Sequence, residues 1–296
     1  MPDQPDPVPE RGSATDRPVD NAPYLTHHHD GLTVEGYSRA AVQSYWRVPE
    51  LKVGFDLGAH PWDFIGTPNW FISHAHLDHI AALPVYVARR RMMKMEPPRV
   101  FVPAEAYEDV KKFLLVLQRL DRGRQVCDLV PVEPGQEFEL SREHVVTAWA
   151  TTHTIPSRGF LVWERRQKLK DEYAHLKGTE IRDLRLAGTP VTRETRIPLV
   201  AYTGDTSPAG LDACPAAFEC KVLITELSFI RASHRRDKIH KYGHMHLDDF
   251  VERQDRFHNG LIVAAHFSTR YHPSEVRRVL DAKLPAKLRA KMRLWI

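Results

Sequence analysis

The sequence predicts an α/β fold in which two strand-and-helix layers face each other. Short apolar runs of strand length alternate with longer, polar-faced segments in both halves of the 296-residue chain. No internal sequence repeat accompanies that alternation. Five of the apolar runs end in a residue able to bind a metal or move a proton: His74 and His76, then His153, Asp205, Glu226 and His266. Strand ends along one edge of a layered sheet converge, and sites of α/β folds collect there. A series of this kind, in order along the chain, is the signature of a site.

Composition sets the outer bounds. A hydrophobic fraction of 42% leaves room for a substantial core. No run approaches the roughly 18 apolar residues of a membrane span, so no membrane partner is expected. The start, MPDQPDPVPERG, has acid and proline where a signal peptide carries basic and then apolar residues, which implies a cytoplasmic location. Three cysteines without a CxxC pair suit a reducing compartment and argue against a cysteine zinc site. The net charge of +4 is compatible with a polyanionic partner without requiring one.

Residues 1–23 hold six prolines and four aspartates with almost no large apolar group, and are expected to be a disordered tail. Residues 24–296 are expected to form one domain. His27, His28 and His29 precede the turn residues Asp30 and Gly31; three adjacent side chains cannot all face one ion. Residues 32–48 read as a hairpin and 51–57 as a further strand. His60 reads as a loop residue. Residues 80–95 read as a helix with Pro84 in its first turn or at a break, ending in Arg89, Arg90, Arg91 and Lys94. Strands are expected over 100–102, 126–132, 137–140 and 144–150, and an amphipathic helix over 104–120. After a strand at 160–163, residues 164–187 read as a polar helix with Arg165, Arg166, Lys168 and Lys170 in its first turns. Strands over 199–203, 221–225 and 261–265 follow, with a helix over 247–258 and a last one opened by Pro273.

The stretch NWFISHAHLDHIAAL, residues 69–83, organises the rest. An apolar strand ends at Ser73, and His74, His76, Asp78 and His79 follow within six positions. Alternate residues share a face, so His74 and His76 turn to one side. Asp78 falls near a helix N-terminus, where a carboxylate is favoured. Three imidazoles and a carboxylate packed this closely can hold one metal ion or two.

The HxHxDH pattern after a strand resembles the signature of the metallo-β-lactamase superfamily, whose fold is a four-layer αβ/βα sandwich with a dinuclear metal site. Read together, FISHAHLDHIAALP, THTIPSRGF, AYTGDTS, ITELSF, YGHMH and AAHFSTRY closely resemble ribonuclease Z in its short, plant-like form. The resemblance implies a zinc-dependent endoribonuclease acting on precursor tRNA, with two zinc ions per chain (manganese or another divalent ion possible) and a homodimer. It implies one metal held by His74, His76, His153 and Asp205. A second would take Asp78, His79, Asp205 and His266, with Asp205 bridging. Asp78 would also activate the attacking water, His244 would protonate the leaving 3′-oxygen, and Glu226 would orient His244. Ser268, Arg270 and Tyr271 would meet the RNA 3′ end or its phosphates, or else brace the metal loop. The basic clusters at 89–94 and 165–170 read, apart from the resemblance, as RNA-backbone contacts or as solvated helix surface.

Three departures stand out. Leu77 replaces a residue that is small or polar in many relatives. Met245-His246 stands where Ser-Thr is more usual, so His246 competes with His244 for the acid role. Between His153 and Asp205 the compact polar helix replaces the long glycine-rich arm of other relatives. A dinuclear hydrolase of small phosphodiesters or lactones on the same fold is the alternative reading.

Overall fold

The computed structural model describes residues 22–296. The tail expected over 1–23 lies outside them except for Ala22, which is buried, and Pro23. The first sheet comprises β1 (Leu25–His29), β2 (Leu32–Arg39), β3 (Gln43–Val48), β4 (Val53–Leu57), β5 (Asn69–Phe71), β6 (Arg99–Pro103) and β7 (Asp128–Val132), in that spatial order. The second comprises β8 (Glu137–Glu139), β9 (His144–Thr151), β10 (Ser157–Leu169), β11 (Thr192–Tyr202), β12 (Val222–Glu226), β13 (Leu261–Ala265) and β14 (Met292–Leu294), stacked in the order 14-13-12-11-10-9-8. Each sheet is antiparallel across its first four strands in sequence and parallel thereafter. The two halves therefore share a topology without sharing a sequence.

Helices α1 (Leu77–Ile80), α2 (Leu83–Met92) and α3 (Tyr107–Asp121) accompany the first sheet. The tip helix α4 (Gly178–Leu186) is followed by α5 (Pro208–Asp212), α6 (Arg236–Lys241), α7 (Leu247–Glu252), α8 (Pro273–Lys283) and α9 (Ala286–Lys291). Three apolar clusters make the layering explicit. Trp70, Ile72, Val100, Tyr86 and Leu114 pack on the outer face of the first sheet. Phe55, Phe71, Phe101, Phe160, Ile224 and Val263 fill the space between the sheets. Leu161, Leu223, Ile262, Phe250 and Leu280 pack on the outer face of the second. Both faces of the central strands are buried, which is why they read as unbroken apolar runs. Each large side chain so buried contributes on the order of 1.5–3 kcal/mol.

Several expectations need correction. The histidines at 27–29 lie in β1, paired with β2, where no strand was expected, and the turn expected at Asp30 and Gly31 follows them, with φ 44° and 78°. That left-handed pair matches the twist of a tight hairpin. Residues 164–187 do not form a continuous helix. Residues up to Leu169 extend β10, paired with β11 from Trp163↔Pro198 out to Leu169↔Thr192, and only Gly178–Leu186 is helical. This ribbon runs beyond the core, so its residues are polar on both faces and carry no strand alternation; non-local backbone pairing decides its conformation. An arm therefore stands where a compact helix was expected. The helix over 247–258 ends at Glu252. After α8 the chain adds α9 and β14, which places Trp295 against Trp46 in the core between the sheets.

Candidate metal centre

One edge of the sandwich gathers the polar strand ends. β5 leads into the 73–79 loop, and the loop between β9 and β10 carries His153. The segments after β11 and β13 carry Asp205 and His266, and β12 ends on Glu226. His76 stands at the N-cap position of α1, so Asp78 lies in the first turn as expected. Gly58 is needed here: a Cβ on it would lie 1.8 Å from the backbone oxygen of Asp78.

The inward atoms form two adjoining groups. His74 Nε2 and His76 Nδ1 are 3.0 Å apart, and His153 Nε2 is 3.2 Å from His76 Nδ1. His79 Nε2 and His266 Nε2 stand 3.7 and 3.8 Å from Asp78 Oδ2. Asp205 Oδ2 lies 3.9 Å from His74 Nε2, 3.6 Å from His79 Nε2 and 3.4 Å from His266 Nε2, so it spans both groups.

Hydrogen bonds behind the rings fix which nitrogen faces inward. The Ser73 hydroxyl donates to Asp56, so it accepts from His74 Nδ1 at 2.9 Å. His79 Nδ1 donates to Asp56 Oδ2 at 2.6 Å and His153 Nδ1 to the Gly243 carbonyl at 3.0 Å. The Ser228 hydroxyl donates to Glu226, so it accepts from His266 Nδ1 at 3.1 Å. With Nδ1 so engaged, each of these four imidazoles, in its neutral form, presents an Nε2 lone pair to the centre. Burial lowers the pKa of His74 far below its usual value, and that of His76 and His153 more modestly, so all three are neutral, as ligands must be. Burial works against a charged His79, yet Asp205 and Asp56 raise its pKa well above 6.5. Burial likewise works against ionised Asp205, yet His266 and His79 depress it well below the usual range. His79 Nε2 and His266 Nε2 are buried with no hydrogen-bond partner among the described residues. Close-set imidazole nitrogens and carboxylate oxygens, two of the nitrogens buried and unpartnered among the described residues, fit divalent cations of the zinc or manganese type.

Glu226 and His244 form a second constellation beside the first. Glu226 is buried and accepts the backbone N–H groups of Thr206 at 2.6 Å and Met245 at 3.2 Å. His244 Nδ1 lies 3.1 Å from Glu226 Oε1, and its ring is 5.0 Å from that of His153. Burial opposes the charged imidazole, but the charge and hydrogen bond of Glu226 outweigh it and push the pKa up to about 9. Gly243 sits at φ 68°, and a Cβ there would fall 2.4 Å from His153 Cα, so glycine alone fits before His244. His246 is buried elsewhere: its Nε2 faces the Arg231 carbonyl at 3.0 Å and its Nδ1 accepts the Asp248 N–H at 3.1 Å. It caps α7 and does not compete for Glu226.

The HFSTRY residues divide. Ser268 is buried and accepts the N–H of Arg270, while Tyr271 is buried with its hydroxyl accepting from Ile230 and bonded to His234. Of the three residues expected to meet RNA, Arg270 is the exposed one, next to exposed Thr269. The basic cluster at 89–94 is largely engaged: Arg89 donates to His60, Arg90 to the Glu96 and Ile65 carbonyls, and Arg91 to Asp121. His60, placed in a loop by the sequence, is buried against Tyr86. Sequence reasoning missed Asp56, Ser73, Ser228 and the Ala41 N–H, which donates to Asp78 Oδ2 at 3.0 Å. Asp56 alone left a signal, as a lone carboxylate inside the apolar run VGFDL.

This fold and this cluster of histidines and aspartates define a class. Residues 70–267 match the model of the β-lactamase superfamily domain, and the metallo-β-lactamase fold protein YhfI from Bacillus subtilis superposes with a TM-score of 0.56 at 14% identity, covering 89% of this chain and 87% of that one. The sequence is 38% identical over 265 residues to the chloroplastic tRNase Z TRZ2 of Arabidopsis thaliana, spanning 89% of this chain and 73% of that protein. It is 37% identical over 265 residues to tRNase Z TRZ1 of the same plant, spanning 89% of this chain and 94% of that protein. The chain belongs to the tRNase Z family.

Proposed function

We propose that the protein is a metal-dependent endoribonuclease that removes the 3′ trailer from precursor tRNA by hydrolysing one phosphodiester bond. The observation that carries this reading is the convergence of seven ligand side chains, Asp205 at their centre, beside a buried carboxylate–imidazole pair. His74, His76, His153 and Asp205 would hold one zinc ion, and Asp78, His79, Asp205 and His266 a second. Bound divalent ions lower the pKa of water toward about 7 and steady negative charge on phosphoryl oxygens.

The chain's own groups do the rest. Asp78, aimed by the Ala41 amide, orients the attacking water and takes its proton. Water adds to phosphorus and the bond to the 3′-oxygen breaks. His244, protonated at neutral pH by virtue of Glu226, gives its proton to that oxygen. The products are a 3′-hydroxyl on the tRNA and a 5′-phosphate on the trailer. Arg270 is the exposed cation of HFSTRY and can meet phosphate.

The reading includes a cytoplasmic homodimer. Exposed Val85, Met92, Leu115, Val116 and Leu120 on α2 and α3 support a second copy as partner, and light scattering of the purified protein measures it. Among the described residues no helix is long and apolar enough to cross a membrane.

Incubation of the protein and an Asp78→Ala control with a trailer-bearing tRNA, in zinc or manganese, tests the activity. Release of the trailer after the discriminator base, by the wild type alone, is the expected result. Cleavage of a small phosphodiester with the tRNA left intact would point instead to a hydrolase of small phosphodiesters or lactones.

A further inference from the structure

Beside the metal-binding loop lies an apolar cavity of about 340 Å³ that the proposed chemistry does not use. Its size falls within the range of small-ligand pockets. Ala75 and Leu77, which alternate with His74, His76 and Asp78, form one wall, and Ile155 after His153 forms another. Val110 and Phe113 of α3 close the far side. These two residues continue the apolar stripe begun by Ala106, at helical spacing, and this end of the stripe is left partly uncovered. Leu77 is 72% exposed, although it is a large apolar side chain placed between two candidate metal ligands. The carboxylates of Glu105 and Asp109 also line the cavity.

Resting on the tRNA-processing reading above, we infer that this cavity holds the base of the first trailer nucleotide, immediately 3′ of the scissile bond. Continuity favours this occupant: Ala75 and Leu77 alternate with His74, His76 and Asp78, so a strand whose phosphate lies against that loop has the Ala75–Leu77 wall beside it. Apolar walls and an aromatic ring suit the flat face of a base. Glu105 is taken up by Arg158, whereas the exposed carboxylate of Asp109, held by Lys112 through Oδ1, can accept the exocyclic amino group of adenine, cytosine or guanine. Uracil has no such group. None of the walls belongs to the segment carrying His244, which serves the leaving 3′-oxygen, so the pocket takes the trailer side of the bond.

The test uses precursor tRNAs that differ only in the first trailer nucleotide (A, C, G, U or abasic). Wild type, Phe113→Ala and Asp109→Asn are compared, and hydrolysis of bis(p-nitrophenyl) phosphate by the wild type is measured alongside. The abasic substrate raises the wild-type KM about tenfold or more. Phe113→Ala raises KM for the A and C substrates similarly and adds nothing on the abasic one. Asp109→Asn, a change at the surface that does not threaten folding, removes a KM penalty specific to U. A wild-type KM indifferent to the abasic site, or effects of Phe113→Ala and base removal that simply multiply, overturns the inference. A wild type that hydrolyses the small phosphodiester but leaves every precursor tRNA intact overturns the tRNA reading, and this inference with it.

Discussion

His244 Nδ1 lies 3.1 Å from Oε1 of Glu226, a carboxylate buried among the backbone N–H groups of Thr206 and Met245. The pair fixes both the orientation of the ring and its charge. Burial alone would lower the pKa of His244; Glu226 reverses the sign and raises it to about 9. A general acid must be protonated, so activity falls as pH rises through that value. Glu226→Gln removes the charge that raises the pKa and leaves the burial that lowers it. The alkaline limb of kcat then moves to lower pH, and kcat at pH 8 drops about a hundredfold. An alkaline limb that stays in place in Glu226→Gln would remove His244 from the acid role.

Asp56 is fully buried and accepts from Ser73, His79 and Tyr202. It touches two of the candidate ligand segments without ligating. Asp56→Asn keeps the shape but weakens its hold on the His79 tautomer, so metal affinity falls by about 10- to 100-fold. Competition with a chromogenic chelator measures this directly. Unchanged affinity would mean that the His79 ring is held by packing alone.

His60 supplies a stability prediction separate from the chemistry. Burial, followed by the charge of Arg89, lowers its pKa from 6.5 to about 3. Below pH 6.5 the unfolded chain binds a proton that the folded one refuses until about pH 3, so this group destabilises the fold as pH falls through that window. Between pH 6.5 and 5 the cost is about 2 kcal/mol. Urea midpoints at pH 7 and pH 5 for the wild type and His60→Gln check it, with the variant losing less. Equal losses in the two proteins would place the acid sensitivity elsewhere.

Much of the site was legible because its residues interrupt apolar strands, where a polar side chain has no reason to be unless something binds it. His74, His153, Asp205, Glu226 and His266 all stand out this way. The residues behind them do not: Ser73 and Ser228 are ordinary loop residues in sequence, and their roles follow from contacts with His74 and His266 made only in the fold. The arm was misread for a related reason. Lys168 and its neighbours carry no burial pattern, because the ribbon from Trp163 outward has no core to face, and periodicity reports burial. The C-terminal strand β14 is three residues long, too short for a pattern, and is fixed by pairing with β13.

The same ribbon sharpens where RNA charge is read. Of the cluster at 165–170, Arg165 is paired with Glu139, Arg166 with Glu164 and Lys170 with Glu172. In the first cluster Arg91 is paired with Asp121. A cation already neutralised by a neighbour displaces few counterions when RNA binds. Lys168 on β10 and Arg185 on α4 are exposed and form no ion pair among the described residues. The double variant Lys168→Gln/Arg185→Gln therefore reduces the slope of log affinity against log salt by about 1–2, with weaker binding at low salt. Arg165→Gln, by contrast, leaves the slope nearly unchanged, because Glu139 already compensates its charge. Filter binding of precursor tRNA across a salt series, with Asp78→Ala as the common background to prevent cleavage, gives both slopes. A flattened slope in Arg165→Gln with none in the double variant would place the RNA along the β8 edge rather than at the tip of the arm.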